Sequence, residues 1–509
     1  MAVEAGAKLE DVAEAEEATP REARPLWASL SEHAALWMLI AIVAWVQFPL
    51  GSARPWAWSL LVLLVSANWL VWLPAGLYDI RGTATAFRRI AIPALIFAGV
   101  LVWAWLQSVG WTPAHLHHSM WQVPKDALGR VTPGAISLSP YDTLTEMMKL
   151  LAYCAVGWLA LVLAMKHENA RRLFIALFVV GVAYAIYGIV LSAIGTSQIT
   201  LLEGVPPLYG RDVTGGLVAK NSFATIAGML FLVAIGLVSE SSTHAIITWR
   251  GWRPLIRTVL QFIFGRGAIW LLGALVLFSA LVAADSRAGL MATFVGLLVA
   301  FGFAVMFAAR RQTIAWTLVA GLAAGAVIFT LFLLNGSTVG ARFDNLVETR
   351  GVTEFRPIMW AAAEQAIHDH PWTGIGLGAY HDAYYLYADQ FTPYVVDRAH
   401  NDYLELAAGL GLPAAIAWVL AFAWLVYQCA RGALGRHRRR IYSVTAVAAA
   451  ALVGVHSIFD FSLQIPADAV IFAAIMGVGL AQSVSDRPSK GSRTKENNAQ
   501  DRDPVRAAA

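Results

Sequence analysis

Four segments gather residue types that could do chemistry. Asp285-Ser286-Arg287-Ala288-Gly289 is a short turn between two apolar stretches of membrane-spanning length. An ionisable group so close to a bilayer is costly to keep and is a candidate for function. The guanidinium fork of Arg287 suits a phosphate or diphosphate at headgroup depth. The structural alternative is an arginine that snorkels to lipid headgroups and pairs with Asp285. In Arg356-Pro357-Ile358-Met359-Trp360, proline followed by Ala361-Ala362-Ala363-Glu364 predicts a helix start. That helix runs to about His368. Arg356 then stands beside free backbone N–H groups, which also favour an anion. A surface helix with one exposed arginine is the competing explanation.

The third segment is His370-Pro371-Trp372-Thr373-Gly374-Ile375-Gly376-Leu377-Gly378. Its glycine spacing hints at a nucleotide loop, but no βαβ unit surrounds it, and a tight loop at the membrane surface fits better. The fourth is His400-Asn401-Asp402-Tyr403-Leu404-Glu405. Asn401 and Glu405 share a helix face at i, i+4. An imidazole at its start can serve as a base near neutral pH, or it can cap the helix. A second reading of the histidines has His368, His370, His381 and His400 binding a metal. No H-E-x-x-H spacing exists and the carboxylates are scattered, which weighs against it. Tyr380, Tyr384, Tyr385, Tyr387, Phe391 and Tyr394 lie between these segments and either anchor at the interface or meet sugar rings. Two weaker signals are Lys220-Asn221-Ser222-Phe223, which follows Arg211 and Asp212, and the polar stretch from His456 to Pro466.

The elements that must position these residues follow from composition. The chain has 509 residues, of which 58% are hydrophobic and only 14% charged. Soluble domains carry about 25% charged residues. Runs of about 20 apolar residues recur along the chain, as membrane helices require. A soluble enzyme, a secreted disulfide scaffold and a disordered chain are excluded, and two cysteines make no framework. The expected fold is all-α: a polytopic transmembrane bundle of about 12 spans. They fall near 33–51, 56–77, 90–109, 146–165, 173–194, 221–239, 267–285, 288–309, 314–335, 401–429, 441–458 and 466–483. With both termini in the cytoplasm, most of the 37 lysines and arginines fall on the inner side. That places all four segments on the outer side. Net charge +4 therefore reports orientation and implies no nucleic acid.

The domain limits follow. Residues 1–30 and 485–509 read as disordered cytoplasmic tails around a membrane domain at 31–484. The acidic start lacks a basic n-region and a cleavage site, so it is not a signal peptide. The segment 252–264 reads as an interfacial helix. The outer loops near 110–145, 195–220 and 336–400 are long enough to be functional, and the last should contain short helices. No internal repeat is evident, which counts against inverted-repeat transporters.

The motifs together resemble the O-antigen ligase and polymerase superfamily of bacterial envelope glycosyltransferases. The resemblance rests on SRAGL at 286–290, RPIMW at 356–360, HPWTGIGLGAY at 370–380 and AHNDYLELAAGLGL at 399–412. AKNSFA at 219–224 and HSIFDFSLQIPA at 456–467 add to it. The resemblance covers about 210–470. It implies transfer of a glycan from undecaprenyl diphosphate to an acceptor hydroxyl on the periplasmic face of the inner membrane. The acceptor is the lipid A core in ligases and a second lipid-linked glycan in polymerases. It also implies that Arg287 and Arg356 bind the donor diphosphate and that His400 acts in catalysis. Asp285, Asn401, Glu405, Arg211 and His370 are possible supports. No cofactor or metal is called for if arginines carry the charge. Partners are then the lipid-linked donor, the acceptor and membrane lipids. Repeat-unit polymerase and small-anion transporter are the alternatives, and a structural scaffold is a third.

Overall fold

A computed structural model describes residues 25–130, 133–194, 212–217, 219–242, 265, 267–307, 355–390, 392, 395–435 and 439–483. Fifteen α-helices occur among them. In chain order they are α1 Leu26–Trp45, α2 Pro55–Tyr78, α3 Ile80–Ser108, α4 Gln122–Leu128, α5 Pro140–Leu163, α6 His167–Ala193, α7 Lys220–Ser242 and α8 Gly267–Ala283. Then follow α9 Arg287–Phe307, α10 Arg356–Asp369, α11 Tyr380–Tyr387, α12 Asp402–Leu410, α13 Leu412–Gly435, α14 Ile441–His456 and α15 Pro466–Ala481. No strand occurs among the described residues.

Eight of these helices are long and apolar enough to cross a membrane, and α8, α14 and α15 are shorter apolar helices. The chain is therefore a multi-pass helical membrane protein. Ten of the twelve predicted spans coincide with these apolar helices. The span at 314–335 lies outside the described residues, as do Arg211, the segment 252–264, residues 1–24 and the tail 485–509, whereas the last five residues of the expected tail 1–30 are helical and belong to α1. One span is corrected. The stretch 401–429 is not a single helix, because it breaks at Gly411 into α12 and α13. Gly411 has φ +79°, and a side chain there would sit 2.5 Å from the Trp372 carbonyl oxygen. Helix α3 also begins ten residues before the predicted span, because Asp79 caps it by accepting from Gly82 N–H at 2.9 Å.

Small residues set the centre of the bundle. Helix α15 is buried along nearly its whole length. Its Gly477 lies so close to α5 that a Cβ would meet the Gly157 carbonyl at 2.5 Å. Such close approach is how helices associate where lipid offers no hydrophobic contrast. At 16 residues each, α14 and α15 reach only about 24 Å, less than the hydrocarbon core of about 30 Å. The turn that joins them, 457–465, is sunk into protein, with Asp460 and Ser462 at 1% and 0% exposure. Irregular backbone at that depth is tolerated only where protein covers it. The segment bearing His400 meets this sunken turn directly.

Candidate functional site

His400 sits in the short connection before α12. Its backbone is left-handed, φ +53°, an uncommon state for a residue with a Cβ. Both flanks are tied down. Ala399 N–H donates to Glu405 Oε2 at 2.8 Å. Asn401 caps α12, its Oδ1 accepting from Tyr403 N–H at 3.0 Å and Leu404 N–H at 3.1 Å. Asp402 N–H donates to the Ser457 carbonyl at 2.9 Å. Asn401 and Glu405 thus share a turn without sharing a partner. The helix-capping role falls to Asn401, which leaves the imidazole uncommitted.

The imidazole turns to the sunken turn. His400 Nδ1 lies 3.1 Å from Asp460 Oδ1, with the histidine side chain 30% exposed and the aspartate 2%. The ring also packs edge-on against Phe461, 4.7 Å between centroids. Burial works to raise the Asp460 pKa, but the hydrogen bond with His400 and the nearby His456 outweigh it. They hold the carboxyl below its ordinary value. An ionised Asp460 favours the tautomer with a proton on Nδ1. Nε2 is then left with a lone pair. A base oriented by a buried carboxylate is the arrangement that activates hydroxyl nucleophiles.

A second set of buried charges fixes the segment before His400. Arg398 donates to Glu405 Oε1 at 3.1 Å and Glu146 Oε1 at 3.3 Å, and also to Gln464 Oε1. Lys149 Nζ reaches the same Glu146 oxygen at 2.8 Å. Gln464 Nε2 donates in turn to Asp402 Oδ1 at 3.0 Å, and Ser457 Oγ to Asp402 Oδ2 at 2.8 Å. Burial disfavours the Arg398 charge, but Glu146 and Glu405 more than offset it and its pKa rises. Burial pushes Asp402 up to about 7, against its hydrogen bonds from Gln464 and Ser457.

The two arginines each open a helix. Arg287 opens α9 and Arg356 opens α10. Ser286 fixes the first, donating to Asn221 Oδ1 at 2.8 Å and accepting from Gly289 N–H at 3.1 Å. One turn along α7, Thr225 meets the His456 ring at 3.2 Å and Ser462 Oγ at 3.0 Å. The Arg356 charge is also felt at His456. A continuous chain of contacts therefore links the turn bearing Arg287 to the turn bearing Asp460. The Asp285–Arg287 pairing considered above does not form. Asp285 instead faces Lys220 Nζ at 3.4 Å, which also holds Asp212 at 2.7 Å.

The glycine-rich segment is a backbone clasp. Ile375 N–H donates to the Ala408 carbonyl at 2.9 Å and Gly376 N–H to that of Gly409 at 3.0 Å. These bonds satisfy carbonyls at the end of α12, where the helix itself cannot. A Cβ at Gly374, φ +64°, would lie 2.3 Å from the Gly409 oxygen. Gln107 at the end of α3 completes the clasp, donating to the Thr373 carbonyl at 2.6 Å and the Gly409 carbonyl at 2.8 Å. The four histidines take separate partners. His370 stacks on His118, 4.8 Å between ring centroids. His368 meets Asp369 and His381 meets the Val396 carbonyl. Burial, and then the neighbouring His370, lower the His118 pKa to about 4. His370 therefore supports the cap over α12 and has no contact with His400.

Asp460, Arg398, Gln464, Glu146 and Gln107 are the participants that sequence reading missed. Asp460 and Gln464 fall in the polar stretch 456–466, so a signal existed. Glu146 and Gln107 are isolated polar residues in apolar helices, a pattern that itself marks intramembrane function.

Residues 272–419 match the family model described as O-Antigen ligase. The match bears out the resemblance to the O-antigen ligase superfamily over a shorter stretch than the motifs suggested. It holds Arg287, Arg356, Arg398 and His400 and ends before Asp460. No curated protein matches the chain.

Proposed function

We propose that this protein is an O-antigen ligase-like glycosyltransferase of the bacterial inner membrane. It would move a glycan from undecaprenyl diphosphate to an acceptor hydroxyl at the periplasmic face, in lipopolysaccharide or exopolysaccharide synthesis. The observation that carries this reading is the His400–Asp460 contact at 3.1 Å, whose histidine lies within the family-matched segment.

The chemistry needs three things. The acceptor hydroxyl must lose a proton, and His400 Nε2 takes it. The acceptor oxygen then bonds to the anomeric carbon of the donor sugar while the bond from that carbon to the phosphate oxygen breaks. Its electron pair leaves with undecaprenyl diphosphate. Glycosyl transfer passes through an oxocarbenium-like state, and the developing negative charge lies on the leaving diphosphate. Arg287 and Arg356 would hold that charge, a form of electrostatic stabilisation that is often the largest catalytic contribution. Two guanidinium charges make a metal unnecessary for holding the diphosphate in this scheme. Asp460 stabilises the imidazolium formed at His400.

The test is incubation of the purified protein with an undecaprenyl diphosphate-linked glycan, with and without lipid A core. Transfer only when core is present makes it a ligase. Longer lipid-linked chains without core make it a repeat-unit polymerase. No product in either arm, from protein that is folded and inserted, refutes the reading.

A further inference from the structure

A crevice of about 440 Å³ runs between α3, α5, α13 and α15. Its walls are apolar and include Phe97, Trp158, Trp418 and Phe472. Along α5 it extends from Glu146 to Leu161, about 22 Å at the helical rise of 1.5 Å per residue. That is most of the thickness of a bilayer's hydrocarbon core. At this depth, with these walls, the fitting occupant is a hydrocarbon chain.

The chemistry at one end narrows the choice. There the crevice meets Glu146, Arg398, Asp402, Glu405 and Gln464. The guanidinium of Arg398 is already engaged by Glu146, Glu405 and Gln464. That end therefore offers carboxylate and amide groups, which recognise hydroxyls, and no spare positive charge for a diphosphate. Arg287 and Arg356 stand on α9 and α10, neither of which lines the crevice. Arg398 and Asp402 flank His400 in the chain, so this end lies beside the candidate base. We infer that the crevice holds the hydrocarbon chain of the acceptor lipid and delivers its hydroxyl-bearing head to His400. This rests on the transfer reading above in the form whose acceptor lipid carries no diphosphate, which sets the repeat-unit polymerase aside, with the donor held at the two arginines.

The native thiols supply the probe. Cys154 lies in the crevice wall and is exposed, whereas Cys429 is buried. The full chain in nanodiscs is treated with N-ethylmaleimide, and alkylation of the Cys154 peptide is followed by mass spectrometry. Hexadecyl glucoside serves as a long-chain hydroxyl-bearing probe, butyl glucoside as its short-chain control and undecaprenyl phosphate as an anionic lipid. Hexadecyl glucoside at ten times its dissociation constant should slow alkylation about ten-fold, by occupancy alone. Butyl glucoside should not slow it. Equal slowing by undecaprenyl phosphate, or none by hexadecyl glucoside, overturns the assignment. Ala98→Trp fills the crevice from an exposed position on α3. It should raise KM for a lipid acceptor and leave KM for the donor unchanged, and an unchanged acceptor KM also overturns the assignment. Protection is read without turnover. Transfer without protection sinks the crevice and spares the transfer reading, whereas protection without transfer refutes the transfer reading.

Discussion

Replacing Asp460 by asparagine isolates the contribution of the buried carboxylate. The side chain keeps its size, and its oxygen can still accept from Phe461 N–H, as Asp460 does at 2.9 Å. What is lost is the charge 3.1 Å from His400 Nδ1. In the ground state that charge orients a neutral ring. Once His400 has taken the acceptor proton, it faces an imidazolium, so the interaction strengthens as the reaction proceeds. A hydrogen bond to a charged group contributes about 1.5–3 kcal/mol net. At 1.36 kcal/mol per factor of ten, kcat should fall about 10- to 150-fold with little change in either KM. An amide that turns its NH₂ towards Nδ1 would force the proton onto Nε2 and deepen the loss. The assay is the initial rate of glycan transfer by purified protein in nanodiscs. A His400→Ala background sharpens it, because a partner that acts only through His400 should then cost nothing more. An unchanged kcat for Asp460→Asn, or a full further loss on top of His400→Ala, refutes the dyad.

Arg287→Ala and Arg356→Ala should each lower kcat about 10²- to 10³-fold, the size of one lost oxyanion donor, while membrane insertion stays normal. Wild-type rates from both would remove the diphosphate role. Gly374→Ala forces a Cβ against the Gly409 oxygen at 2.3 Å. Left-handed strain of this kind costs on the order of 1–3 kcal/mol, so Tm should fall, and an unmoved Tm would mean the clasp is slack. Asp402 ionises at about 7 when folded against 3.8 unfolded. Its proton therefore stabilises the fold at low pH, and that stability is lost as pH rises from about 4 to about 7. Asp402→Asn can keep both side-chain hydrogen bonds and should flatten the decline of Tm over that window. A parallel pH profile would exclude Asp402 as its source. Arg398→Lys keeps the charge and loses the fork, so it should lower kcat more than it lowers Tm. A change in Tm alone would make Arg398 a packing residue.

The four motif segments were legible because each combined a polar group with a helix boundary. The sequence pattern placed Arg356 at a helix start, and it opens α10. Asn401 and His400 were read at the start of a helix, and they stand there. The long span was misjudged for a physical reason. Residues 401–429 are apolar enough to read as continuous, and Gly411 carries no signal by itself. Its left-handed φ is demanded by Trp372, about 40 residues earlier in the chain, whose carbonyl leaves no room for a Cβ. Partners were harder still. Arg398 touches Glu146 across 252 positions, and Gln107 touches Gly409 across 302. Helix periodicity says which face a residue occupies, but not which distant helix meets it. Asp285 shows the same limit, because proximity in the chain suggested Arg287 and the fold supplied Lys220.

The buried charges around Arg398 pose the sharpest physical question. Taking a guanidinium and two carboxylates out of water carries a desolvation penalty that their mutual attraction often fails to exceed. Net stability is therefore a poor reason for the network. Geometry is a better one. His400 holds φ +53°, and such a conformation persists only where the surroundings over-determine it. They do so here from both sides. Glu405 binds the Ala399 amide while gripping Arg398. Ser457, in the sunken turn, accepts the Asp402 amide and donates to the Asp402 side chain. The same turn carries Asp460, three residues on. One set of bonds thus fixes the backbone of His400 and the carboxylate that orients its ring relative to each other. A base aimed this way needs little reorganisation when the acceptor arrives, and preorganisation of that kind is what a desolvated site can supply and water cannot.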